Sequence, residues 1–101
     1  MRLLLFFDLP TVESAERREY ARFRKYLIKS GFIMLQESVY CKLLLNSTAV
    51  ATLSENIRRN KPPNGLIQTL LITEKQYARM EFILGDFESE VIDSDERLVI
   101  L

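Results

Sequence analysis

The 101-residue chain carries 14 Lys and Arg against 14 Asp and Glu, 48% hydrophobic residues, one Cys and no His. That suits one domain with its own core, and the lack of His excludes imidazole bases, Ser-His-Asp and Cys-His nucleophile systems and His-containing zinc sites. Cys41 alone excludes an internal disulfide or a multi-Cys metal site. The zero net charge is unevenly spread: residues 1–73 hold eleven basic and six acidic groups, residues 74–101 three basic and eight acidic, so the halves carry +5 and −5. The split points to a basic face for an anionic partner and an acidic tail with another task, or to two solvated surfaces. A domain this small gains from pairing with a second copy. No secretory pattern and no apolar run of membrane-spanning length is present, so a cytoplasmic protein without membrane contact is expected.

Leu3 to Phe7 form an unbroken apolar run bounded by Asp8-Leu9-Pro10, which predicts a central strand buried on both faces. Ser14 is a candidate N-cap, and Tyr20, Phe23 and Leu27 recur at helical spacing until Gly31, predicting a helix over about 14–30. Phe32–Gln36 and Val39–Leu45, separated by Glu37-Ser38, form a hairpin or one bent strand. Asn46 to Thr48 offer capping oxygens to a second helix, with Val50, Leu53 and Ile57 inward and its end near Asn60. Lys61-Pro62-Pro63-Asn64-Gly65 is a turn. Leu66–Ile72 follows as a strand, and Thr73 and Gln76 have capping-box spacing for a short helix to about Arg79. Met80–Leu84 is a candidate fifth strand, and Leu98–Leu101 a further one.

Strand, helix, two strands, helix, strand is the βαββαβ plan of an α+β ferredoxin-like sandwich, with both helices on one face of an antiparallel sheet. The plan occupies residues 1–72 and, with the short helix, sets a domain over 1–80. Residues 81–101 are then a C-terminal extension whose strand is exchanged with or docked on a partner subunit, giving a homodimer.

Asp8 places a carboxylate at the end of an apolar strand, which is costly unless paired, hydrated or metal-bound. A two-fold axis near that strand end would bring two such carboxylates together, a geometry suited to Mg²⁺. The alternative is that Asp8 accepts backbone N–H bonds in its turn. On the first helix, Arg18, Arg22, Lys25 and Lys29 fall along one stripe, with Arg17 and Arg24 on another flank. Such a stripe follows a phosphate backbone without reading bases, or is a solvated face partly neutralised by Glu13, Glu16 and Glu19. Arg58 and Arg59 are candidate phosphate contacts too, although their place at a helix C-terminus has its own electrostatic reason. Gln36, Ser38 and Tyr40 alternate and so are expected to share one face, with Tyr40 either stacking a base or serving as core. Cys41 reads as core.

Met1-Arg2-Leu3-Leu4-Leu5-Phe6-Phe7-Asp8-Leu9-Pro10, Arg22-Phe23-Arg24-Lys25-Tyr26-Leu27, Gly31 to Tyr40 and Glu90 to Leu101 resemble the small CRISPR adaptation protein family, "Cas-two", in its type II form. The resemblance spans essentially the whole chain. It implies a ferredoxin-like homodimer whose C-terminal strand crosses to the other subunit's sheet. It further implies a non-catalytic scaffold in spacer acquisition, which binds double-stranded prespacer DNA and bridges dimers of the CRISPR integrase, the partner that performs transesterification. On this reading Arg17, Arg18, Arg22, Lys25, Arg58 and Arg59 contact phosphates, and the acidic Glu90, Asp93 and Asp95 dock the integrase. Some members of the family cleave RNA or DNA with Mg²⁺, and the aspartate matching Asp8 is proposed to hold the metal at the dimer interface. The enzymatic alternative is thus a Mg²⁺-dependent endonuclease with Asp8 as its catalytic and metal-binding residue.

Overall fold

The computed structural model describes residues 1–86. Five consecutive apolar side chains place β1 (Arg2–Asp8) inside a four-stranded antiparallel sheet, ordered β2-β3-β1-β4 with β2 (Ile33–Gln36), β3 (Val39–Leu43) and β4 (Leu66–Ile72). Two helices, α1 (Ser14–Lys29) and α2 (Ser47–Asn60), cover one face, and a short α3 (Glu74–Ala78) follows β4. Element order and strand order are those of a ferredoxin-like α+β fold.

The period of two along β1 divides its side chains between two environments. Leu3, Leu5 and Phe7 join Phe23 and Leu27 of α1, Leu53 and Ile57 of α2, and Tyr40 in one buried cluster. Phe7 is its hub, edge-on to Tyr20 and Phe23 at 5.7 and 5.8 Å and stacked on Tyr40 at 5.7 Å. Each aromatic contact contributes about 0.5–1.5 kcal/mol beyond burial. The alternate residues Arg2, Leu4, Phe6 and Asp8 face away from the helices, opposite Leu43, Cys41 and Val39 on β3 and Ile72, Leu70, Gln68 and Leu66 on β4. On this second face Ile33, Leu43, Leu66 and Leu70 are 51–54% exposed.

The helices end where local chemistry satisfies their free backbone groups. The cap of α1 is Glu13, one residue before the expected Ser14, because the Glu16 carboxylate accepts from the Val12 and Glu13 N–H groups at 3.0 and 2.9 Å. At the other end Gly31 (φ 94°) lets the Phe32 N–H reach the Leu27 carbonyl at 3.0 Å, and Lys42 Nζ donates to the Ser30 carbonyl at 2.7 Å. The Asn46 side chain caps α2 by accepting from the Ala49 N–H at 2.8 Å. The Thr73–Gln76 box opens α3, with bonds of 2.8 and 3.0 Å.

Two sequence expectations are corrected. Residues 33–43 form a hairpin whose register shifts between Met34 and Gln36, so Gln36 opposes Val39 while Met34 opposes Tyr40. Gln36 and Tyr40 therefore lie on opposite faces, and Ser38 sits in the turn. Met80–Leu84 is not a strand. The start of α3 is held on Arg2, whose Nε bonds both Glu74 carboxylate oxygens at 3.0 and 3.2 Å and whose guanidinium lies 4.3 Å from the Tyr77 ring centre. Because Arg2 faces away from the helices, α3 is thereby held on the second side of the sheet. The expected strand Leu98–Leu101 lies outside the described residues.

Candidate nucleic-acid interface

Asp8 ends β1 next to the aromatic hub, exposed and on the sheet's second face opposite Leu66. Its carboxylate accepts no hydrogen bond among the described residues, so the turn-capping alternative is not realised. Gly65 (φ 113°) brings the α2–β4 turn against this strand end: a Cβ there would stand 2.9 Å from the Asp8 carbonyl oxygen and 2.6 Å from Leu9 Cδ2. Only glycine permits both that conformation and that approach. Among the described residues no group of three Asp, Glu, Cys or His side chains comes together. The donor chemistry at this point is one exposed hard oxygen ligand per chain, which fits a Mg²⁺ ion that keeps most of its water.

The basic residues occupy the helical layer with different degrees of freedom. Arg17 Nη1 folds back onto the Thr11 and Val12 carbonyls, tying the β1–α1 loop to the helix. Arg22 bonds Glu19 at 2.9 and 3.1 Å and reaches the Asn60 carbonyl at 2.9 Å, joining α1 to the last turn of α2. That bond ties the middle of α1 to the end of α2, whose last turn carries Arg58 and Arg59. Arg58 and Arg59 share the Glu55 carboxylate at 3.5 and 3.6 Å, and all three side chains are largely exposed. Pairs of that kind contribute little, about 0–1 kcal/mol, and leave the cations available to an anion. Arg18 and Lys25 are exposed and pair with nothing among the described residues. Glu90, Asp93 and Asp95, the expected integrase contacts, lie outside the described residues.

Tyr40 is fully buried core. Burial pushes its phenol up from the ordinary value, with the Arg24 guanidinium pulling the other way. Cys41 is buried beside Arg2, at 3.7 Å from Nη1. Arg2 is held above its usual value by the Glu74 bond, against its own partial burial, and burial likewise raises Tyr77. Two features escape a reading of residue types alone: the Arg22–Asn60 link, which needs the packed helices, and the apolar second face, whose signal was the unbroken Leu3–Phe7 run.

Fold and surface define a small ferredoxin-like α+β protein with a cationic helical layer and, among the described residues, a partly exposed apolar sheet face and an unpaired carboxylate at the sheet's end. The family model for CRISPR associated protein Cas2 matches residues 1–80, and the chain belongs to that family. It is 54% identical over 101 residues to the "CRISPR-associated endoribonuclease Cas2" of Treponema denticola, covering all of both chains. It is 46% identical to the protein so named in Streptococcus mutans, over all of this chain and 93% of the relative. The Campylobacter jejuni protein of that name is 38% identical, over 99% of this chain and 71% of its own length. The family's place is in CRISPR systems, and no helix among the described residues is long and apolar enough to cross a membrane.

Proposed function

We propose that the chain is a CRISPR adaptation subunit, a dimeric non-catalytic scaffold that binds prespacer DNA and bridges integrase dimers during spacer acquisition. The observation that carries this reading is the set of exposed cations on the helical layer, Arg18, Arg22 and Lys25 on α1 and Arg58 and Arg59 on α2, with the two helices tied by the 2.9 Å Arg22–Asn60 bond. It consists of exposed cations on rigid helices and lacks any base-reading feature, so it supports sequence-tolerant phosphate contact. The second sheet face, apolar and half exposed at Ile33, Leu43, Leu66 and Leu70, supports a dimer formed by two such faces. The acidic Glu90, Asp93 and Asp95 are the proposed integrase contacts. The test is integration of a prespacer into a repeat-containing plasmid by the co-encoded integrase, with wild type, Asp8→Ala or the double variant Arg18→Glu/Lys25→Glu, checking complex size in each sample. Wild-type integration with Asp8→Ala and loss with the double variant are expected; the reverse pattern overturns the scaffold reading.

A second reading, a Mg²⁺-dependent endonuclease, is favoured by the relatives' printed name and by the free Asp8 carboxylate. Two Asp8 carboxylates related by a dimer axis would hold the ion, which when bound supplies charge neutralisation at a phosphodiester. The β1 end and the Gly65 turn fix where each carboxylate stands. RNA cleavage that requires Mg²⁺ and vanishes in Asp8→Asn would establish this activity; cleavage unchanged in Asp8→Asn would exclude it.

A further inference from the structure

We propose that the groove between the C-terminal half of α2 and the helix-side of β4 is a phosphodiester subsite, taking one phosphate of a nucleic-acid strand and its adjoining sugar. The groove encloses about 230 Å³ and is lined by Ser54, Ile57, Arg58, Lys61, Ile67 and Thr69. Ser54, Ile57 and Arg58 follow at steps of three and one, hence on one flank of α2, Lys61 is the extended residue that ends it, and Ile67 and Thr69 point to the same side of β4. Its volume falls below the ~300–1,000 Å³ of clefts that enclose whole small molecules, which suits one unit of a polymer.

The lining has the three components a nucleotide backbone needs. Arg58 and Lys61 supply charge: with Arg59 they are three cations against the single carboxylate of Glu55, an excess larger than the roughly half negative charge of a helix C-terminus. Ser54, Thr69 and Lys61 make no side-chain hydrogen bond among the described residues, so two hydroxyls and an ammonium remain to bond phosphate oxygens or a sugar hydroxyl. Ile57, a core residue, and Ile67, packed against the core, give the groove an apolar floor for sugar carbons. The groove lies at the end of α2 that α1 also reaches, since Arg22 bonds the carbonyl of Asn60, the residue before Lys61. The subsite rests on the nucleic-acid reading above but is separable from the α1 stripe.

The test uses the full-length protein, isotope-labelled for NMR, titrated with the dinucleotides dTpdT and UpU, each of which carries one phosphodiester. The amides of Ser54 and Thr69 and the methyl groups of Ile57 and Ile67 are expected to shift, and the shifts to disappear in Lys61→Glu. Lys61 is an exposed residue beyond the helix, so that variant keeps the fold; Thr69→Val, equal in shape, provides an independent check and is expected to reduce the shifts. Equal responses to the two probes assign the backbone alone, whereas a larger response to UpU that Ser54→Ala or Thr69→Val equalises assigns RNA. With a DNA duplex, Lys61→Glu should lower the slope of log affinity against log salt by about 0.9 for each phosphate contact removed. Shifts confined to the Arg18–Lys25 stripe, with an unchanged salt slope, overturn the subsite and leave the nucleic-acid reading standing. No shift with either probe, together with no duplex binding by wild type, overturns both.

Discussion

Tyr40 combines full burial with a hydroxyl that makes no hydrogen bond of good geometry among the described residues, the Arg24 guanidinium lying near enough to act on it. Because burial raises its pKa, the folded chain keeps the phenol neutral where the unfolded chain begins to release its proton, near pH 10. The sign follows from proton binding: above that pH the folded state holds more protons, so stability falls as pH rises. Urea midpoints should decline above about pH 10 in wild type and less steeply in Tyr40→Phe, while Tyr77, raised in the same direction, keeps part of the slope. At neutral pH Tyr40→Phe should lie within about 1 kcal/mol of wild type, because it removes an unbonded polar atom without opening a cavity. A parallel alkaline limb in the variant would mean that this phenol ionises freely in the fold. Gly65 has a similarly local prediction. Gly65→Ala forces a Cβ onto the Asp8 carbonyl and Leu9, so a loss of roughly 1–3 kcal/mol is expected by urea unfolding. Gly85→Ala shares the positive φ but meets nothing within 4 Å, so it should lose less.

At the level of elements, α1 depends on side chains at both ends. Glu16 serves two N–H groups at its start and Lys42, from β3, bonds the carbonyl of Ser30 at its end. Lys42→Met keeps the aliphatic stem and removes the charged donor, so about 1–2 kcal/mol should be lost, seen as a lower urea midpoint with unchanged helicity. A smaller loss would assign the capping to Gly31 alone. Much of this layer was legible beforehand because it is local: the Phe23–Leu27 spacing, the Asn46 cap, the Thr73 box and the Gly31 stop each follow from neighbouring residues. The Glu13 cap was missed because Glu16 acts from within the helix, and the common face of Gln36, Ser38 and Tyr40 failed because a register shift cancels the period of two. Met80–Leu84 is apolar enough for a strand, but pairing depends on where α3 sends the chain, which the non-local Arg2–Glu74 and Arg2–Tyr77 contacts decide. In the candidate site the cations were legible from helical spacing. Their division into tied (Arg17, Arg22) and free (Arg18, Lys25) required the tertiary structure.

On the scale of the whole molecule, the sheet has, among the described residues, one face covered by α1 and α2 and one left partly exposed, although β1 has the composition of a strand covered on both. Leu4 and Phe6 are as apolar as Leu3 and Leu5, and the strand partners on the open side include Leu43, Leu66, Leu70 and Ile72. Among the described residues α3 meets this side at Arg2; the apolar surface still exposed at Ile33, Leu43, Leu66 and Leu70 is what a second copy would bury, and burial at ~25 cal/mol/Å² would stabilise both. A two-fold axis through that face, near the end of β1, would also bring two Asp8 carboxylates nearer each other, so metal binding by such a pair would require the same contact. Leu70, opposite Leu4 and 53% exposed, tests it. Leu70→Lys leaves the helical core untouched but would place an unpaired ammonium in each half of the interface. That should cost roughly 3 kcal/mol, a hundredfold in dimer Kd, measured by analytical ultracentrifugation with unchanged circular dichroism. Val12→Lys, equally apolar and 83% exposed but in the β1–α1 loop, should leave the Kd at its wild-type value. If both variants dimerise like wild type, the copies meet elsewhere and Asp8 remains a solitary carboxylate.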